Sequence, residues 1–158
     1  MILTGDADLR ALLDRSRVVF MIGASANPVR PSYFVFRYLS THGFEVWPVN
    51  PAYADIEGTP CYKTLTACAA EHGPPDIVDV FRKAEEVVPV SMESIEIGAK
   101  AIWFQYGVVN QEAIRLADDS GLDVVVDRCM KVEHARIAGG LTAAGMNSRV
   151  ITSKRRQP

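Results

Sequence analysis

The chain has 158 residues, of which 48% are hydrophobic and 23% are charged, and its formal net charge is −2. This length and composition predict a single packed domain, and the near-neutral balance argues against nucleic acid as the main partner. The apolar stretches are too short to cross a bilayer, and the N-terminus lacks the pattern of a signal peptide. We therefore expect a cytoplasmic protein that does not bind membranes.

The hydrophobic pattern predicts strands that alternate with helices along the chain. A helix is expected over "LRALLDR", with Leu9, Leu12 and Leu13 on one face, and later helices over Pro31 to Gly43, "TLTACAAE", "KAEEVVPVSMESIEIG", "NQEAIRLADDSG" and "CMKVEHARIA". The five strands are expected over "RVVFMIG", "EVWPVN", "DIVDVF", "AKAIWFQ" and "LDVVVD". Continuous apolar strands between helices indicate right-handed βαβ units. The prediction is an α/β, Rossmann-like three-layer fold with a five-stranded, mainly parallel sheet.

Three smaller expectations accompany this fold. Asn110 is a candidate N-cap, and Pro89 is expected to divide the fourth helical stretch. Periodicity is lost after Gly139 and Gly140, so the domain is expected over residues 1–140, followed by a mobile C-terminal tail over 141–158.

Three cysteines, Cys61, Cys68 and Cys129, stand at scattered spacings. An odd number without a paired spacing fits neither a disulfide framework nor a zinc site. We expect reduced thiols and no metal ion.

The loop after the first strand, "GASANPVRPS", is the first candidate binding site. In an open parallel sheet, ligands bind outside the carboxyl ends of the strands. Gly23 allows close backbone approach, and the helix that begins at Pro31 directs free amides toward an anion such as phosphate. Polar or charged side chains are supplied by Ser25, Asn27, Arg30 and Ser32. The alternative is a tight turn with no ligand.

This loop is not the dinucleotide fingerprint. The pattern G-x-G-x-x-G needs glycines where Ser25 and Pro28 stand, and the acidic ribose partner after the second strand is replaced by Asn50 and Pro51. A nicotinamide cofactor is therefore disfavoured.

Later strand ends add further candidates. Phe81 can stack on a base, while Arg82 and Lys83 can bind phosphates or form an ordinary solvated pair of cations. Gln105 and Gly107 lie in a turn after the fourth strand.

Catalytic candidates are few. Cys129 stands beside Arg128 and Lys131, cations that would lower its pKa, and His134 follows about one turn later as a potential base. The alternative is a buried structural thiol. Recognised hydrolase, protease and Walker A motifs are missing from the sequence.

Five segments, "GASANPVRPSYFVFRYL", "PVNP", "DIVDVFRK", "GAKAIWFQYGVVN" and "VVVDRCMKVEH", carry a family resemblance. In order and spacing they resemble the small stand-alone CoA-binding proteins of bacteria, which are similar to the N-terminal CoA-binding domain of the succinyl-CoA synthetase alpha subunit. The resemblance covers about residues 4–138.

The resemblance implies a CoA-binding domain over residues 1–140 whose strand-end loops contact the nucleotide. The residues implied are Gly23, Ala24, Ser25, Asn27, Pro28, Arg30, Ser32, Asn50, Pro51, Val80, Phe81, Arg82, Gln105 and Gly107. Cys129 joins them because it follows the fifth strand on the same side, where a mixed disulfide with the CoA thiol is a further hypothesis.

Two departures from the synthetases bear on function. The chain ends before a ligase domain with its phosphorylated histidine, and the lysine that synthetases place after the second strand is missing. The leading hypothesis is non-catalytic binding of coenzyme A or an acyl-CoA, with a homodimer left open. The alternatives are an NAD(P)-binding oxidoreductase, a CoA-binding subunit of an acyl-CoA ligase that needs a partner chain, and an interaction module with an empty pocket.

Overall fold

A computed structural model describes residues 1–137, which are built around a five-stranded parallel sheet. The strands are β1 (Val18–Ile22), β2 (Glu45–Val49), β3 (Asp55–Ile56), β4 (Thr59–Pro60), β5 (Ile77–Val80), β6 (Ala101–Phe104) and β7 (Asp123–Val126). The order in the main sheet is β2-β1-β5-β6-β7, and every adjacent pair is parallel. The predicted five strands and their parallel arrangement are confirmed.

Helices cover both faces of this sheet. They are α1 (Asp6–Arg15), α2 (Pro31–Ser40), α3 (Leu65–His72), α4 (Val88–Glu96), α5 (Gln111–Asp119) and α6 (Met130–Ile137). One core joins the buried sides of α1, α2 and α6 to the sheet, and the other core joins α3, α4 and α5 to the opposite face. The result is the predicted three-layer α/β arrangement.

The apolar pattern explains why these elements form. The central strands are buried on both faces, which requires the continuous apolar runs seen in the sequence. In α1, Leu9, Leu12 and Leu13 are all buried, as their helical spacing predicts. Asn110 is the N-cap of α5, where its side-chain oxygen accepts a hydrogen bond from the Ala113 amide at 3.0 Å.

The fourth helical stretch is divided next to Pro89, as the sequence predicts. It forms a short 3-10 turn over Ala84–Glu86 and then α4, with Pro89 in the first turn of α4. The chain also forms an unpredicted hairpin of β3 and β4. Its turn residues, Glu57 and Gly58, both have positive φ values, of 53° and 79°, which is typical of a two-residue hairpin turn.

The strand order places a topological switch point between β1 and β5. From β1 the chain crosses to β2 on one side, and it later returns to β5 on the other side. The crevice outside the carboxyl ends of these two strands is where open α/β sheets bind ligands. Within residues 1–137, the structure has no helix that combines the length and the apolar character needed to traverse a bilayer. The predicted tail over 141–158 lies outside the described residues.

Candidate ligand-binding site

A pocket of about 800 Å³ lies at the carboxyl ends of the parallel strands. Such a volume is within the range of small-molecule and cofactor sites. The residues that line it are Gly23, Ser25, Arg30, Pro31, Ser32, Val35, Asn50, Pro51, Tyr53, Phe81, Arg82, Lys83, Ala84, Glu86, Gln105, Tyr106, Gly107, Val108 and Cys129. They come from the ends of all five strands of the main sheet and from the first turns of α2, so the pocket spans the switch point.

Gly23 follows β1 and Phe81 follows β5, and the backbones of these two residues are in close contact. Gly23 has a φ of +83°, and a Cβ built on it would overlap the Phe81 carbonyl oxygen and lie 2.7 Å from the carbonyl carbon. The Gly23 amide donates to the Val49 carbonyl and the Phe81 amide donates to the Ile22 carbonyl, each at 2.9 Å. Only glycine fits both this conformation and this space.

The loop between β1 and α2 is held by its own polar groups. The Ser25 hydroxyl oxygen accepts from the Asn27 amide at 3.0 Å, and the Asn27 side-chain oxygen accepts from the Val29 amide at 3.1 Å. Arg30 occupies the N-cap position of α2 without a side-chain capping bond, and Pro31 follows in the first turn. The start of α2 thus lines the pocket through Pro31 and Ser32 and has no side-chain cap, an arrangement suited to an anion.

Asn50, after β2, joins two of the loops around the pocket. Its side-chain amide donates to the Ala24 carbonyl, and its side-chain oxygen accepts from the Ala52 amide, each at 2.9 Å. Tyr53, farther along the same loop, brings its hydroxyl 3.3 Å from the Ser25 hydroxyl. The loop after β2 thus positions the loop after β1.

The outer edge of the pocket is cationic. We call Arg30, Arg82 and Lys83 the cationic rim; Arg30 and Lys83 are exposed and Arg82 is half-buried. Arg82 has a carboxylate neighbour in Glu86, at 3.4 Å from its Nε. A half-exposed pair of this kind is weak in water, so Arg82 remains able to bind an anion.

The inner side of the pocket is uncharged. We call its five buried residues the buried wall: Ser32, Val35, Gln105, Val108 and Cys129. Behind this wall, the Gln105 side-chain amide donates to Oδ1 of Asp79, a wholly buried carboxyl in β5. Oδ2 of Asp79 has no hydrogen-bond partner among residues 1–137. Burial raises the pKa of Asp79 to about 7.

Of the two interpretations of Cys129, the structure favours the buried structural thiol over the activated one. Burial is the main cause that raises the pKa of this thiol, and the charge of Asp79 adds to it. Arg128 is directed elsewhere, toward the Thr4 carbonyl and Glu133. His134 contacts the Tyr38 hydroxyl through Nδ1 at 2.9 Å. These contacts favour the buried structural thiol over a cysteine nucleophile with a histidine base.

The pocket brings together most of the residues singled out in the sequence. Of the fifteen residues named with the resemblance, eleven line it, namely Gly23, Ser25, Arg30, Ser32, Asn50, Pro51, Phe81, Arg82, Gln105, Gly107 and Cys129. Lys83, the other candidate phosphate ligand, lines it as well. Ala24 and Val80 are buried in the core beside it, and Asn27 and Pro28 are exposed outside its lining.

Sequence reasoning missed several members of the site. Tyr53 and Glu86 line the pocket from the second and third strand-end loops. Asp79 was included only as part of a buried strand. The available signal was a carboxylate inside an otherwise apolar run, "IVDVF", because an acidic residue is rarely buried without a partner.

The chain is similar in sequence to a known protein family and to a bacterial protein. A protein-family model described as a CoA binding domain matches residues 17–135. The uncharacterized protein YneT of Bacillus subtilis (strain 168) is 36% identical over 129 residues, which are 82% of this chain and 93% of that protein.

Two solved structures are similar in both sequence and fold. A hypothetical protein from Pyrococcus horikoshii OT3 is 38% identical, with a TM-score of 0.81, over 86% of this chain and 94% of that one. A protein from Thermus thermophilus is 32% identical, with a TM-score of 0.79, over 85% of this chain and 99% of that one.

Proposed function

We propose that this chain, which belongs to the CoA binding domain family, binds coenzyme A or an acyl-CoA in the pocket at the switch point of its sheet. The observation that carries the proposal is the division of this pocket into a cationic rim and an uncharged buried wall. Coenzyme A has the same division, with phosphates at one end and a neutral pantetheine arm at the other.

In this proposal the phosphates lie near Gly23 and the start of α2. Gly23 lines this part of the pocket, and the uncapped start of α2 favours an anion. Arg30, Arg82 and Lys83 supply the positive charge that several phosphates require. The ring of Phe81 is available for stacking at the same edge.

The pantetheine arm then extends toward the ends of β6 and β7. Gln105 and Cys129 line that part of the pocket, and both are buried. An arm of amides and methylene groups suits such a wall because it carries no charge that must be desolvated. The thiol therefore lies near Cys129.

Coenzyme A is favoured over a nicotinamide cofactor because of Asn50. Its oxygen accepts from Ala52 and its amide donates to the Ala24 carbonyl. A dinucleotide site places a carboxylate after the second strand to accept the ribose hydroxyls. Asn50 instead holds the two loops together.

We infer a binding role for this chain. The Cys129 thiol has a raised pKa, and His134 contacts Tyr38. A nucleophile requires a lowered pKa or an adjacent base. Turnover is tested by incubation with ATP, coenzyme A and a short carboxylic acid, which should remain unconverted.

The direct test is calorimetric titration of the chain with coenzyme A, acetyl-CoA, NAD and NADP. The expected result is binding of both CoA compounds, with NAD and NADP at least about 100-fold weaker, because the site lacks the ribose carboxylate. Tight binding of NAD without binding of coenzyme A would rule the proposal out.

A further inference from the structure

The carboxyl group of Asp79, behind the buried wall, affects which acyl groups the pocket can bind. This inference rests on the proposed function, in which the thiol end of the ligand lies against Gln105 and Cys129. The five side chains of the wall carry no formal charge when the Cys129 thiol is protonated. A carboxyl group lies directly behind this wall, because the Gln105 side-chain amide donates to Oδ1 of Asp79.

When ionised, Asp79 gives this end of the pocket a negative character. Its Oδ1 accepts from Gln105, while Oδ2 has no partner within the described part of the chain. Its charge also acts on the neighbouring Cys129 thiol, where it raises the pKa more than the charge of Lys131 lowers it. A second anion placed here would be repelled by Asp79 and would lose its hydration.

The nearby cations are engaged away from the wall. Arg128 contacts the Thr4 carbonyl at 3.1 Å and Glu133 at 3.3 Å. Arg136 pairs with Glu133 and with Asp6 at 3.1 Å. None of these cations is therefore free to neutralise an acyl carboxylate without first leaving its partner.

Two other groups on α6 could have attracted an anion. The amine of Lys131 lies over the rings of Phe34 and Tyr38, 6.0 and 5.9 Å from their centroids. The backbone amides of Lys131 and Val132, at the start of the helix, act on the Cys129 thiol and lower its pKa. The Cys129 side chain therefore already lies at the N-terminus of α6.

We propose that the buried wall accepts the free thiol or a short uncharged acyl group, and that it excludes acyl groups ending in a carboxylate. The physical reason is that such a carboxylate would be buried beside Asp79 without a free cation. The cationic rim, which could neutralise it, is occupied by the phosphates of the same ligand. The pocket therefore selects coenzyme A and neutral acyl-CoA thioesters over dicarboxylic ones.

The test compares butyryl-CoA with succinyl-CoA, whose acyl chains both have four carbons and differ at the end by a methyl group or a carboxylate. Calorimetric titration of the wild-type chain at pH 8, above the pKa of about 7 that burial gives Asp79, should give succinyl-CoA a Kd at least about tenfold higher than that of butyryl-CoA. In Asp79→Asn the ratio of the two Kd values should fall, while the cost of burying the carboxylate without a cation keeps it above one. Asp119→Asn removes one charge from the exposed end of α5, outside the pocket lining, and should keep the wild-type ratio.

Equal binding of the two thioesters by the wild-type chain would overturn the inference and leave the proposed function standing. A ratio in Asp79→Asn that equals the wild-type ratio would also contradict it, since the charge of Asp79 would not then contribute to the exclusion. If neither thioester nor free coenzyme A binds, the proposed function itself fails. Free coenzyme A is therefore titrated in every series.

Discussion

The Cα of Gly23 lies so close to the backbone of Phe81 that any Cβ at position 23 would overlap the Phe81 carbonyl oxygen. These residues follow β1 and β5, the two strands that flank the switch point. Their contact fixes where the two strand-end loops separate, and thus where the pocket begins. Gly23 therefore lies both at the switch point of the sheet and at the proposed position of the phosphates.

Gly23→Ala should destabilise the chain and weaken binding of coenzyme A. The change adds a methyl group against the Phe81 carbonyl and also strains a φ of +83°. We expect a fall in the free energy of unfolding of about 3 kcal/mol or more, measured by urea denaturation, because the overlap adds to the backbone strain.

Gly43→Ala is the matched control for that experiment. Gly43 has a similar φ of +92°, but a Cβ there would meet nothing within 4 Å. It should cost about 1 to 2 kcal/mol, from backbone strain alone. Equal losses in the two variants would show that the contact with Phe81 does not constrain the loop.

Neutralising the cationic rim should weaken coenzyme A binding in a salt-dependent way. In Arg82→Gln or Lys83→Gln, loss of one phosphate contact should raise the Kd about tenfold, because a hydrogen bond to a charged group contributes roughly 1.5 to 3 kcal/mol. Calorimetry at two salt concentrations measures the rise in Kd and its dependence on salt. Arg10→Gln, on the exposed side of α1, should leave the Kd unchanged. If Arg10→Gln raised the Kd as much as the rim variants do, the effect would come from the overall charge of the chain and not from phosphate contacts at the rim.

Asp79 should make the stability of the chain depend on pH. Burial raises its pKa in the folded chain to about 7 from an ordinary value of 3.8, so the unfolded chain loses this proton first as the pH rises. The free energy of unfolding should therefore fall between about pH 4 and pH 7, by roughly 4 kcal/mol from this residue. Stability from this source is present at low pH and lost as the pH rises through the folded pKa.

Asp79→Asn should remove that contribution, since an amide does not titrate. Urea denaturation at pH 5 and pH 8 should show the variant gaining stability relative to wild type as the pH rises. Asp119→Asn, on exposed α5, serves as the control and should follow wild type at both values. A constant difference between Asp79→Asn and wild type across this range would mean that Asp79 is ionised throughout.

Cys129 should react slowly with oxidised coenzyme A at neutral pH. The thiolate would attack one sulfur of the CoA disulfide, forming a mixed disulfide and releasing one CoA thiolate. Because burial raises the pKa of Cys129, the rate should grow about tenfold per pH unit above pH 7. Intact mass should show an adduct that Cys129→Ser lacks. A rate independent of pH would mean that the thiol is already ionised.

Much of the fold could be predicted because its signals are local. Continuous apolar strands followed by amphipathic helices predict a parallel sheet covered on both faces, and Asn110 and Pro31 correctly marked helix starts. The hairpin of β3 and β4 was missed because strands of two residues carry no measurable periodicity. Its turn, with Glu57 at a positive φ, is not a common turn sequence.

The site was less predictable because its properties depend on contacts between distant segments. Arg128 is next to Cys129 in the sequence, yet it contacts Thr4. The pKa of the thiol is raised mainly by burial and also by the charge of Asp79, 50 residues earlier, which outweighs the charge of Lys131. Sequence proximity therefore gave the wrong direction for the pKa of Cys129. The role of Asn50 in joining two loops likewise requires the position of Ala24.

A crystal structure of the chain with bound coenzyme A tests the central claim most directly. The proposed function predicts phosphates beside Gly23 and the cationic rim, and a thiol within contact distance of Gln105 or Cys129. Coenzyme A bound elsewhere on the chain, or in this pocket with the thiol at the rim and the phosphates against the buried wall, would contradict it.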